Sequence, residues 1–515
     1  MQNTENLRGE FLPWTLETRG TPAQLAHQRE LIAQNGGEIG ENCFVSALAD
    51  IYDMRLSLGK NSVICANALL RSGQLTTGEN CSVNTYAYLQ GPITLGNGVR
   101  IGPKASLIAS NHGHADITRP IVAQPLIEKG ITVGDDVWIG ANSVLVDGVC
   151  VGSHSIIAAG SVVTKPVGDY VIVGGSPARV LKNRIEAYYK DRISDFCTRV
   201  AAEMASLVAA HYQNGIFVDT SVNQLPVRAC CDAVELLAMF PPADAGLFAM
   251  QTHIAYLQTQ QTDSIDYSAL CVGYALEVLG APIKAPYTLP QNPAQWLDAL
   301  SWSTNVWHAG HLVDCLGSAA YQNGKYFASA VNADAIAGTQ SARSTINAVF
   351  AWLDAQVNPR TGLWGDGDLH DCVNGFYRLT RGTYAQFNRA LPEAEKAIDS
   401  ILHHAQNPQL FANDNGTACD VLDVIHPLWL CKKQTMHRFD EGRSWAFLWI
   451  DKILANWDAQ QGFSFDLLKH DNPTLMGTEM WLSILYLLCD YVGIAALLPY
   501  VPQGVHRPKT DGTPI

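Results

Sequence analysis

The chain has 515 residues, a formal net charge of −14 and a hydrophobic content of 47%, the composition of a globular protein with room for several domains. The acidic balance argues against nucleic-acid binding, because phosphate neutralisation needs basic residues. No apolar stretch reaches the length of a membrane span, and the first residues lack the basic and then apolar pattern of a secretory signal. The thirteen cysteines follow no disulfide or CxxC spacing, so we expect reduced thiols, a cytoplasmic location and no metal site.

The charge is divided unevenly along the chain. Residues 1–185 hold 14 basic and 15 acidic residues, whereas the remainder holds 20 and 33. Such a shift in composition indicates domains of different origin. We therefore predict a helical or irregular segment over residues 1–37, a repeat domain over 38–185 and a helical domain over 186–515.

An aliphatic residue recurs at nearly every sixth position through the predicted repeat domain, and Gly often follows it. A six-residue step with one buried aliphatic residue suits a short strand and a tight turn, so three steps make one triangular coil of about eighteen residues. Each coil buries its face only against its neighbours, which predicts a solenoid; a β-sandwich with glycine-rich turns is the alternative. The period positions are Ile39, Val45, Ile51, Leu58, Ile64, Leu70, Thr77, Val83, Leu89, Leu95, Ile101, Leu107, Val133, Ile139, Leu145, Val151, Ile157 and Val163.

The period stops at Leu107 and resumes at Val133, 26 positions later. We interpret this interval as one ordinary coil with an inserted loop of eight residues. Loops on a rigid scaffold often carry the chemistry, and His112 is a natural general base because histidine exchanges protons near neutral pH. His114 is the alternative base, and Asp116 is either a partner for an imidazole or an ordinary solvated acid.

Three stretches carry a resemblance to a known family: "SNHGHADITRP", "GITVGDDVWIGANSVLVDGVCVGSHSIIAAGSVVTKPV" and "YVIVGGSPARVLKNR". They resemble the hexapeptide-repeat acyltransferases, and within that family the sugar and polysaccharide O-acetyltransferases. The resemblance covers roughly residues 38–185. It implies a left-handed parallel β-helix, a homotrimer, acetyl-CoA as the acyl donor, and His112 as the base that deprotonates a sugar hydroxyl. The left hand is implied by the family and not by the spacing.

The same resemblance implies roles for residues on both sides of the loop. Asn84 corresponds to an asparagine of the acceptor site, although a turn-forming Asn fits its position equally well. We expect Trp138 to be exposed, because Val133 and Ile139 take the buried positions around it. The residues implied at the coenzyme site are Trp138, the backbone N–H of Ala141, Gly160, Lys165, Arg179 and Lys182. The three cations are ordinary solvated residues in the alternative interpretation.

From about residue 186 the hexapeptide period is absent and apolar residues follow helical spacing. Two stretches, "VFAWLDAQVNPRTGLWG" and "LWIDKILANWDAQQGFSF", each combine an amphipathic helix with a later Gly and an aromatic residue. Repeated units of this kind resemble α/α toroids, and an irregular helical bundle is the alternative. The predicted fold is therefore multidomain, with a left-handed parallel β-helix followed by an all-α, toroid-like domain.

Polar and aromatic residues of the helical part concentrate at residues 302–315 and 362–378. Aromatic rings beside carboxylates suit the binding of sugars. His308, His311 and Asp314 share one helical face, as either a metal or acid–base cluster or a hydrogen-bonded face. The candidate substrate-binding residues of the chain are His114, Asp116, Trp302, His308, Trp364, Asp366, Asp368 and His370.

These observations predict an acetyl-CoA-dependent O-acetyltransferase that acts on a carbohydrate hydroxyl. The expected acceptor is a capsular or surface polysaccharide or its precursor, and the helical domain is expected to bind this glycan. The alternative is a bifunctional enzyme whose helical domain is a separate glycan hydrolase, lyase or epimerase. A non-catalytic glycan-binding scaffold is disfavoured, because the histidine and the coenzyme-site pattern are both present.

Overall fold

The structure is a computed structural model, and it describes residues 10–11, 13, 19–219, 226–241, 250–329, 333–411, 415–469 and 472–508. The chain forms two compact units, one that ends at Tyr189 and one that begins at Lys190. We call them the solenoid unit and the helical unit. The domain boundaries at residues 37 and 185 stay predictions. None of the helices in the described ranges combines the length and the apolarity that crossing a membrane requires.

Helix α1 (Pro22–Asn35) packs against the first coil of the solenoid unit. Thr21 begins the helix by accepting a hydrogen bond from the N–H of Gln24. The buried amide of Gln24 donates to the main-chain oxygen of Val45 at 3.0 Å, and the buried amide of Gln28 donates to the same coil at 2.9 Å. A solenoid needs such a cap, because its first coil has no preceding coil to cover it.

The solenoid itself consists of short parallel strands wound into about seven turns. Strands of successive turns pair in parallel along the solenoid axis. The expected parallel β-solenoid is therefore confirmed, and the antiparallel pairing of a β-sandwich is excluded. Its strands are β1 (Gly37–Ile39), β2 (Phe44–Val45), β3 (Asp50–Leu58), β4 (Val63–Ile64), β5 (Leu69–Thr77), β6 (Ser82–Val83), β7 (Tyr88–Leu95), β8 (Arg100–Ile101), β9 (Ser106–Ile108), β12 (Ile131–Val133), β13 (Trp138–Ile139), β14 (Val144–Val146), β15 (Cys150–Val151), β16 (Ile156–Ile157), β17 (Val162–Val163) and β18 (Val171–Gly174). Two further strands, β10 (Asn111–His112) and β11 (Leu126–Ile127), lie in the inserted loop, and β19 (Arg179–Asn183) pairs antiparallel with β18.

The strand register stacks the period positions directly on one another. Val45 pairs with Ile64, 19 positions later. Val83 pairs with Ile101, 18 positions later. Every period position from Leu58 to Val163 is buried in the interior, so the six-residue step predicts the core correctly.

The inserted loop is longer than the period alone indicates. Leu95 pairs directly with Val133, 38 positions later, and no complete coil lies between them. Compared with an 18-residue turn, the loop therefore adds 20 residues to a single turn, and the expected length of eight is wrong. The error has a simple cause: Leu107 and Val133 are consecutive inward positions, one step apart rather than one coil apart.

Helix α2 begins before the boundary between the two units and continues into the helical unit. A short hairpin, β20 (Tyr212–Gln213) and β21 (Ile216–Phe217), comes next. The helices are α2 (Arg184–Ala210), α3 (Pro226–Met239), α4 (Met250–Gln260), α5 (Tyr267–Val278), α6 (Pro293–Asp298), α7 (Val306–Ala328), α8 (Ala333–Gln356), α9 (Leu369–Thr380), α10 (Ala394–His404), α11 (Pro408–Phe411), α12 (Ala418–Lys432), α13 (Phe439–Ala455) and α14 (Leu475–Tyr491).

Within the described residues, six helices of this unit pack in a closed cycle. Helix α3 packs on α5, α5 on α7, α7 on α9, α9 on α12, α12 on α14, and α14 packs back on α3. Helices α4, α8, α10 and α13 each pack against one or two members of this ring. The helical region is therefore confirmed, and a closed ring is what the α/α-toroid resemblance implies. Assignment to the toroid class stays a prediction.

The two similar stretches of the helical unit end in the same kind of turn. After the first helix, the N–H of Gly362 donates to the oxygen of Asn358 at 2.7 Å. After the second, the N–H of Gly462 donates to the oxygen of Asp458 at 2.9 Å. Both glycines have a positive φ, 70° and 91°, a conformation that side chains other than Gly rarely adopt. The likeness of the two sequences thus reflects a shared helix–turn unit.

The first testable prediction concerns the interior stack of the solenoid. Replacing Leu145, which is fully buried, by Ala leaves a cavity between two coils and should lower the free energy of unfolding by about 2–5 kcal/mol. Urea unfolding measures the change. The matched control is Thr132→Ala on an exposed strand position, which we expect to change stability by less than about 1 kcal/mol. Equal effects of the two substitutions would contradict the assigned interior.

Candidate functional site

A hairpin inside the inserted loop presents His112. Strand β10 pairs antiparallel with β11, and His112 lies opposite Leu126 in the register. The hairpin fixes the backbone of His112, whereas its side chain is exposed. An exposed imidazole on a backbone held by strand pairing is accessible to a substrate and still positioned by the scaffold.

The two neighbouring candidates of the loop have different roles. His114 Nδ1 lies 3.0 Å from the main-chain oxygen of His112. The carboxylate of Asp116 accepts hydrogen bonds from the N–H and the hydroxyl of Thr118, at 2.9 and 2.6 Å, and these bonds lower the pKa of Asp116. Gln124 donates to the main-chain oxygen of Asp116 at 2.9 Å. Asp116 therefore orders the loop, and the described residues show no bond between its carboxylate and either imidazole.

The same loop exposes an unusual amount of aliphatic surface. The side chain of Ile117 is 97% exposed and that of Val122 is 89% exposed. Three more aliphatic residues of the loop are exposed as well: Ile121, Leu126 and Ile127. A concentration of apolar side chains on one protruding loop is typical of a surface that contacts another protein.

Trp138 lies in a column of outward-facing residues on one face of the solenoid. Its side chain is 56% exposed. In the strand register Trp138 pairs with Arg100, and Arg100 pairs with Ser82 on the next coil. Neighbouring strands are about 4.8 Å apart, so the three residues form a short row in which Arg100 and Trp138 are exposed and Ser82 is buried.

A pocket of about 540 Å³ lies in the part of the solenoid that contains Asn84 and Arg100. Asn84 Nδ2 donates to the main-chain oxygen of Ile101 at 2.9 Å, which fixes the side-chain amide at the pocket wall. The volume falls within the range of about 300–1,000 Å³ that small-molecule sites occupy. The lining residues are Arg19, Asn61, Val63, Asn80, Ser82, Asn84 and Arg100. Sequence reasoning missed both arginines, although Arg100 directly precedes the buried period position Ile101.

The residues implied at the coenzyme site lie around the later coils. The backbone N–H of Ala141 donates no hydrogen bond within the described residues, whereas its carbonyl accepts from Gly160 at 2.8 Å. Gly160 has a φ of 73°, and a Cβ there would meet no atom of the described chain within 4 Å. Three cations, Lys165, Arg179 and Lys182, are exposed, and the described residues give none of them an ion pair.

Comparison with known proteins finds similarity in the solenoid unit. A family model described as bacterial transferase hexapeptide (six repeats) matches residues 130–165. Galactoside O-acetyltransferase of Escherichia coli strain K12 is 27% identical over 190 residues, which are 36% of this chain and 83% of the relative. Galactoside O-acetyltransferase of Lactococcus lactis is 28% identical over 167 residues, 32% of this chain and 72% of the relative. The solenoid unit is similar to the hexapeptide-repeat acyltransferases.

The expected acyltransferase is thus confirmed. Among solved structures, a hexapeptide-repeat acetyltransferase of Vibrio cholerae aligns with 35% of this chain and 93% of its own, at 28% identity and a TM-score of 0.25. These relatives cover about a third of the acyltransferase chain. The helical unit has to be interpreted from its own geometry.

The helical unit of the acyltransferase has a pocket of about 710 Å³. It brings together three of the predicted residues, Trp302, Trp364 and Asp366. Its lining also contains Trp352 and Asp298, which sequence reasoning missed. The indole rings of Trp302 and Trp352 are 5.2 Å apart and inclined by 30°. Trp352 Nε1 donates to Asp298 at 2.7 Å. Trp352 belongs to the first of the two similar stretches, and that repeat was the signal that could have found it.

Trp364 does not offer a stacking face, contrary to its expected role in sugar binding. It is one of the residues that line the pocket, but it is only 1% exposed. Its Nε1 donates to the main-chain oxygen of Leu353 at 2.8 Å, and its ring packs on Phe376 and Tyr384. Trp364 is a core residue, because the turn that follows α8 folds the indole inward.

The other candidates of the helical unit do not line this pocket. Asp368 caps helix α9, where its carboxylate accepts the N–H of Asp371 at 2.9 Å. His370 lies beside His404, with ring centroids 5.3 Å apart. His308 is exposed at the start of α7 and lies next to Trp307. The structure therefore does not gather these three residues into one site.

On the face of α7 that contains His311 and Asp314, Asp314 belongs to the protein interior and His311 is half-buried. Asp314 is fully buried and bonded to Arg381. Burial and the positive charge of Arg378 lower the pKa of His311 to about 4. This arrangement favours the hydrogen-bonded face over the metal or acid–base cluster.

Proposed function

We propose that the chain transfers an acetyl group from acetyl-CoA to a hydroxyl group of a carbohydrate, with a capsular or surface polysaccharide or its precursor as the acceptor. The observation that carries this proposal is the exposed imidazole of His112 on a hairpin that interrupts the solenoid. The family of the solenoid unit and the names of its relatives support sugar acetylation. Both galactoside O-acetyltransferases named above act on a sugar hydroxyl by their printed names.

In this proposal His112 accepts the proton of the acceptor hydroxyl as its oxygen attacks the thioester carbonyl. The new bond is an oxygen ester, the bond that breaks is the carbon–sulfur bond, and the proton passes to the departing thiolate. The backbone N–H of Ala141, which has no partner within the described residues, is available to bind the negative oxygen that develops during attack. No residue of the chain needs to form a covalent intermediate.

The donor site is assigned to the later coils because the residues present there fit a coenzyme A molecule. Lys165, Arg179 and Lys182 are exposed cations without an ion-pair partner among the described residues, and the phosphates of the donor need such cations. The open space above Gly160 and the exposed indole of Trp138 offer surface for the pantetheine arm.

We assign a homotrimer as the active assembly. The exposed aliphatic side chains of the loop support an arrangement in which the hairpin of one protomer lies against a second copy. Cyclic symmetry then uses one contact three times. In the proposed trimer the imidazole of one copy lies beside the donor site of the next.

The helical unit is assigned to glycan binding on the evidence of its own pocket. The pair of indoles at Trp302 and Trp352 provides apolar surface for the CH face of a sugar. The carboxylates of Asp298 and Asp366 lie in the same pocket and accept hydroxyl hydrogen bonds. The pocket thus supports a role in holding the acceptor.

The base is tested by two matched substitutions in the loop. His112→Ala should lower acetyl transfer, measured as thiol release from acetyl-CoA, by about 10²–10⁴-fold, because the hydroxyl then has no base. His114→Ala keeps the loop and removes only the alternative imidazole, so we expect a change smaller than about tenfold. Full activity of the His112 variant would overturn the assignment, and a larger loss in the His114 variant would transfer the role to that residue.

The assembly is tested with a double substitution of the loop, Ile117→Ser with Val122→Ser. Light scattering should give a trimer for the unmodified protein and a smaller species for the variant, with a parallel loss of acetyl transfer. The control is Ile336→Ser, an exposed isoleucine of the helical unit, which should leave mass and activity unchanged. A fully active monomer in the unmodified protein would contradict the proposal.

The role of the helical unit is tested with the variant Trp352→Ala. For longer oligosaccharide acceptors we expect KM to rise about tenfold, since one lost aromatic contact is worth roughly 1–2 kcal/mol, while KM for the monosaccharide stays the same. Trp307→Ala is the control, because this exposed indole lies outside the pocket lining. Equal effects on short and long acceptors would contradict a glycan-holding role. Shortening of the oligosaccharides by the unmodified protein would instead favour a separate hydrolase or lyase.

A further inference from the structure

The pocket beside Asn84 has a charge that stands out in an acidic chain. Its lining contains two arginines, Arg19 and Arg100, together with neutral residues, and it contains no acidic side chain. Residues 1–185, which contain the solenoid, hold 14 basic and 15 acidic residues. A pocket with two positive charges and no acidic lining residue is therefore a local exception that a ligand could use.

Neither arginine is neutralised by a carboxylate within the part of the chain that the structure describes. Two other cations of the solenoid unit do have such a partner: Lys60 pairs with Glu79 at 3.1 Å, and Arg184 approaches Asp136 at 4.0 Å. The hydrogen bond of Arg19 goes to a main-chain oxygen, at 3.5 Å. The positive charge of the pocket is thus available to a bound anion.

The position of Arg100 places this charge next to the proposed reaction centre. Arg100 pairs with Trp138 across neighbouring strands, which places it about 4.8 Å away along the solenoid axis. The cations assigned to the donor lie on the other side of Trp138: Lys182 pairs with Ile172, three strands from Trp138. The two arginines therefore form a second positive site, separate from the donor cations.

We propose that this pocket binds an anionic group of the acceptor, a carboxylate or a phosphate. The inference rests on the proposed acetyl transfer, because the pocket adjoins the same reaction centre. The guanidinium of Arg100 supplies two parallel N–H donors for the oxygens of the anion. Asn61, Asn80, Ser82 and Asn84 supply neutral hydrogen-bonding groups for the sugar that carries it.

Two kinds of acceptor contain such a group. A uronic acid has a carboxylate on the sugar ring, and a sugar phosphate or nucleotide-linked sugar has a phosphate. Both place a negative charge within a few bonds of free hydroxyl groups. The probes for the two sources are glucuronate and galacturonate on one side and inorganic phosphate on the other, with glucose and galactose as neutral counterparts.

The first measurement is equilibrium binding to the full chain by calorimetry, which does not depend on turnover. We expect at least one anionic probe to bind more tightly than the neutral sugars by tenfold or more, and to bind more weakly as ionic strength rises. Arg100→Gln should raise the Kd of that probe at least tenfold. Arg100→Lys keeps the positive charge but loses the paired N–H donors of the guanidinium. Its Kd for that probe should lie between the values for the unmodified protein and for Arg100→Gln. Arg71→Gln, an exposed arginine outside the pocket, is the control.

The outcomes distinguish a carboxylate from a phosphate, and they distinguish the anion site from the proposed acetyl transfer. Binding of a uronate alone assigns a carboxylate, and binding of phosphate alone assigns a phosphorylated acceptor. The inference is overturned if no anionic probe binds, or if Arg100→Gln leaves the Kd unchanged.

The second measurement is thiol release from acetyl-CoA. A raised KM for the anionic acceptor alone, in Arg100→Gln, supports the inference, whereas a raised KM for acetyl-CoA would assign the pocket to the donor and overturn it. Anion binding that Arg100 controls, without acetyl transfer to any acceptor, would reject the proposed function and leave the anion site standing.

Discussion

The stacking of aliphatic side chains inside the solenoid is the interaction on which the position of every other residue in that unit depends. Each inward residue rests on the inward residue of the coil before it, as Ile139 rests on Ile101. Burial of such a side chain contributes roughly 1.5–3 kcal/mol, so a shift of register by one residue would expose a whole series of them. The residue that precedes each buried position is therefore fixed to the outer face. This is why Arg100 and Trp138, far apart in sequence, lie side by side.

The same constraint explains how much of the solenoid could be predicted from the sequence. A period of six residues identifies the buried positions without knowledge of the fold, because only one residue per step can face the narrow interior. The length of the inserted loop could not be obtained in this way. The period shows that the pattern stops at Leu107 and resumes at Val133, but not which face of the prism each residue occupies. Only the direct pairing of Leu95 with Val133 shows that both belong to one interrupted turn.

In the helical unit the residue types alone were a weaker guide. Trp364 follows a glycine turn in a polar segment, a context in which an exposed indole is a reasonable expectation, yet the turn directs it into the core. Asp368 has a carboxylate, the type of group that binds sugars, but it lies at the start of a helix. There the carboxylate accepts hydrogen bonds from free N–H groups. Trp302 and Asp366 do meet in one pocket, although only the fold shows that Trp352 completes it. Helical spacing identifies faces, whereas contacts between helices distant in sequence require the packed structure.

The cations assigned to binding on the outer face of the solenoid lie in two groups, one on either side of Trp138. Among the described Lys and Arg residues of the solenoid unit, only Lys60 and Arg184 form an ion pair, so it is position that distinguishes the two groups of cations used in the proposals. One such group, Lys165, Arg179 and Lys182, lies on the last coils, and the other, Arg19 and Arg100, lies on earlier ones. Lys182 is three strands from Trp138, or about 14 Å, whereas Arg100 is one strand away on the opposite side. Trp138 therefore separates two positive regions, as a transfer site must if its two substrates approach one reacting centre from opposite ends. A single continuous basic strip would favour one long anionic ligand instead, and the neutral positions Trp138 and Ile156 interrupt any such strip.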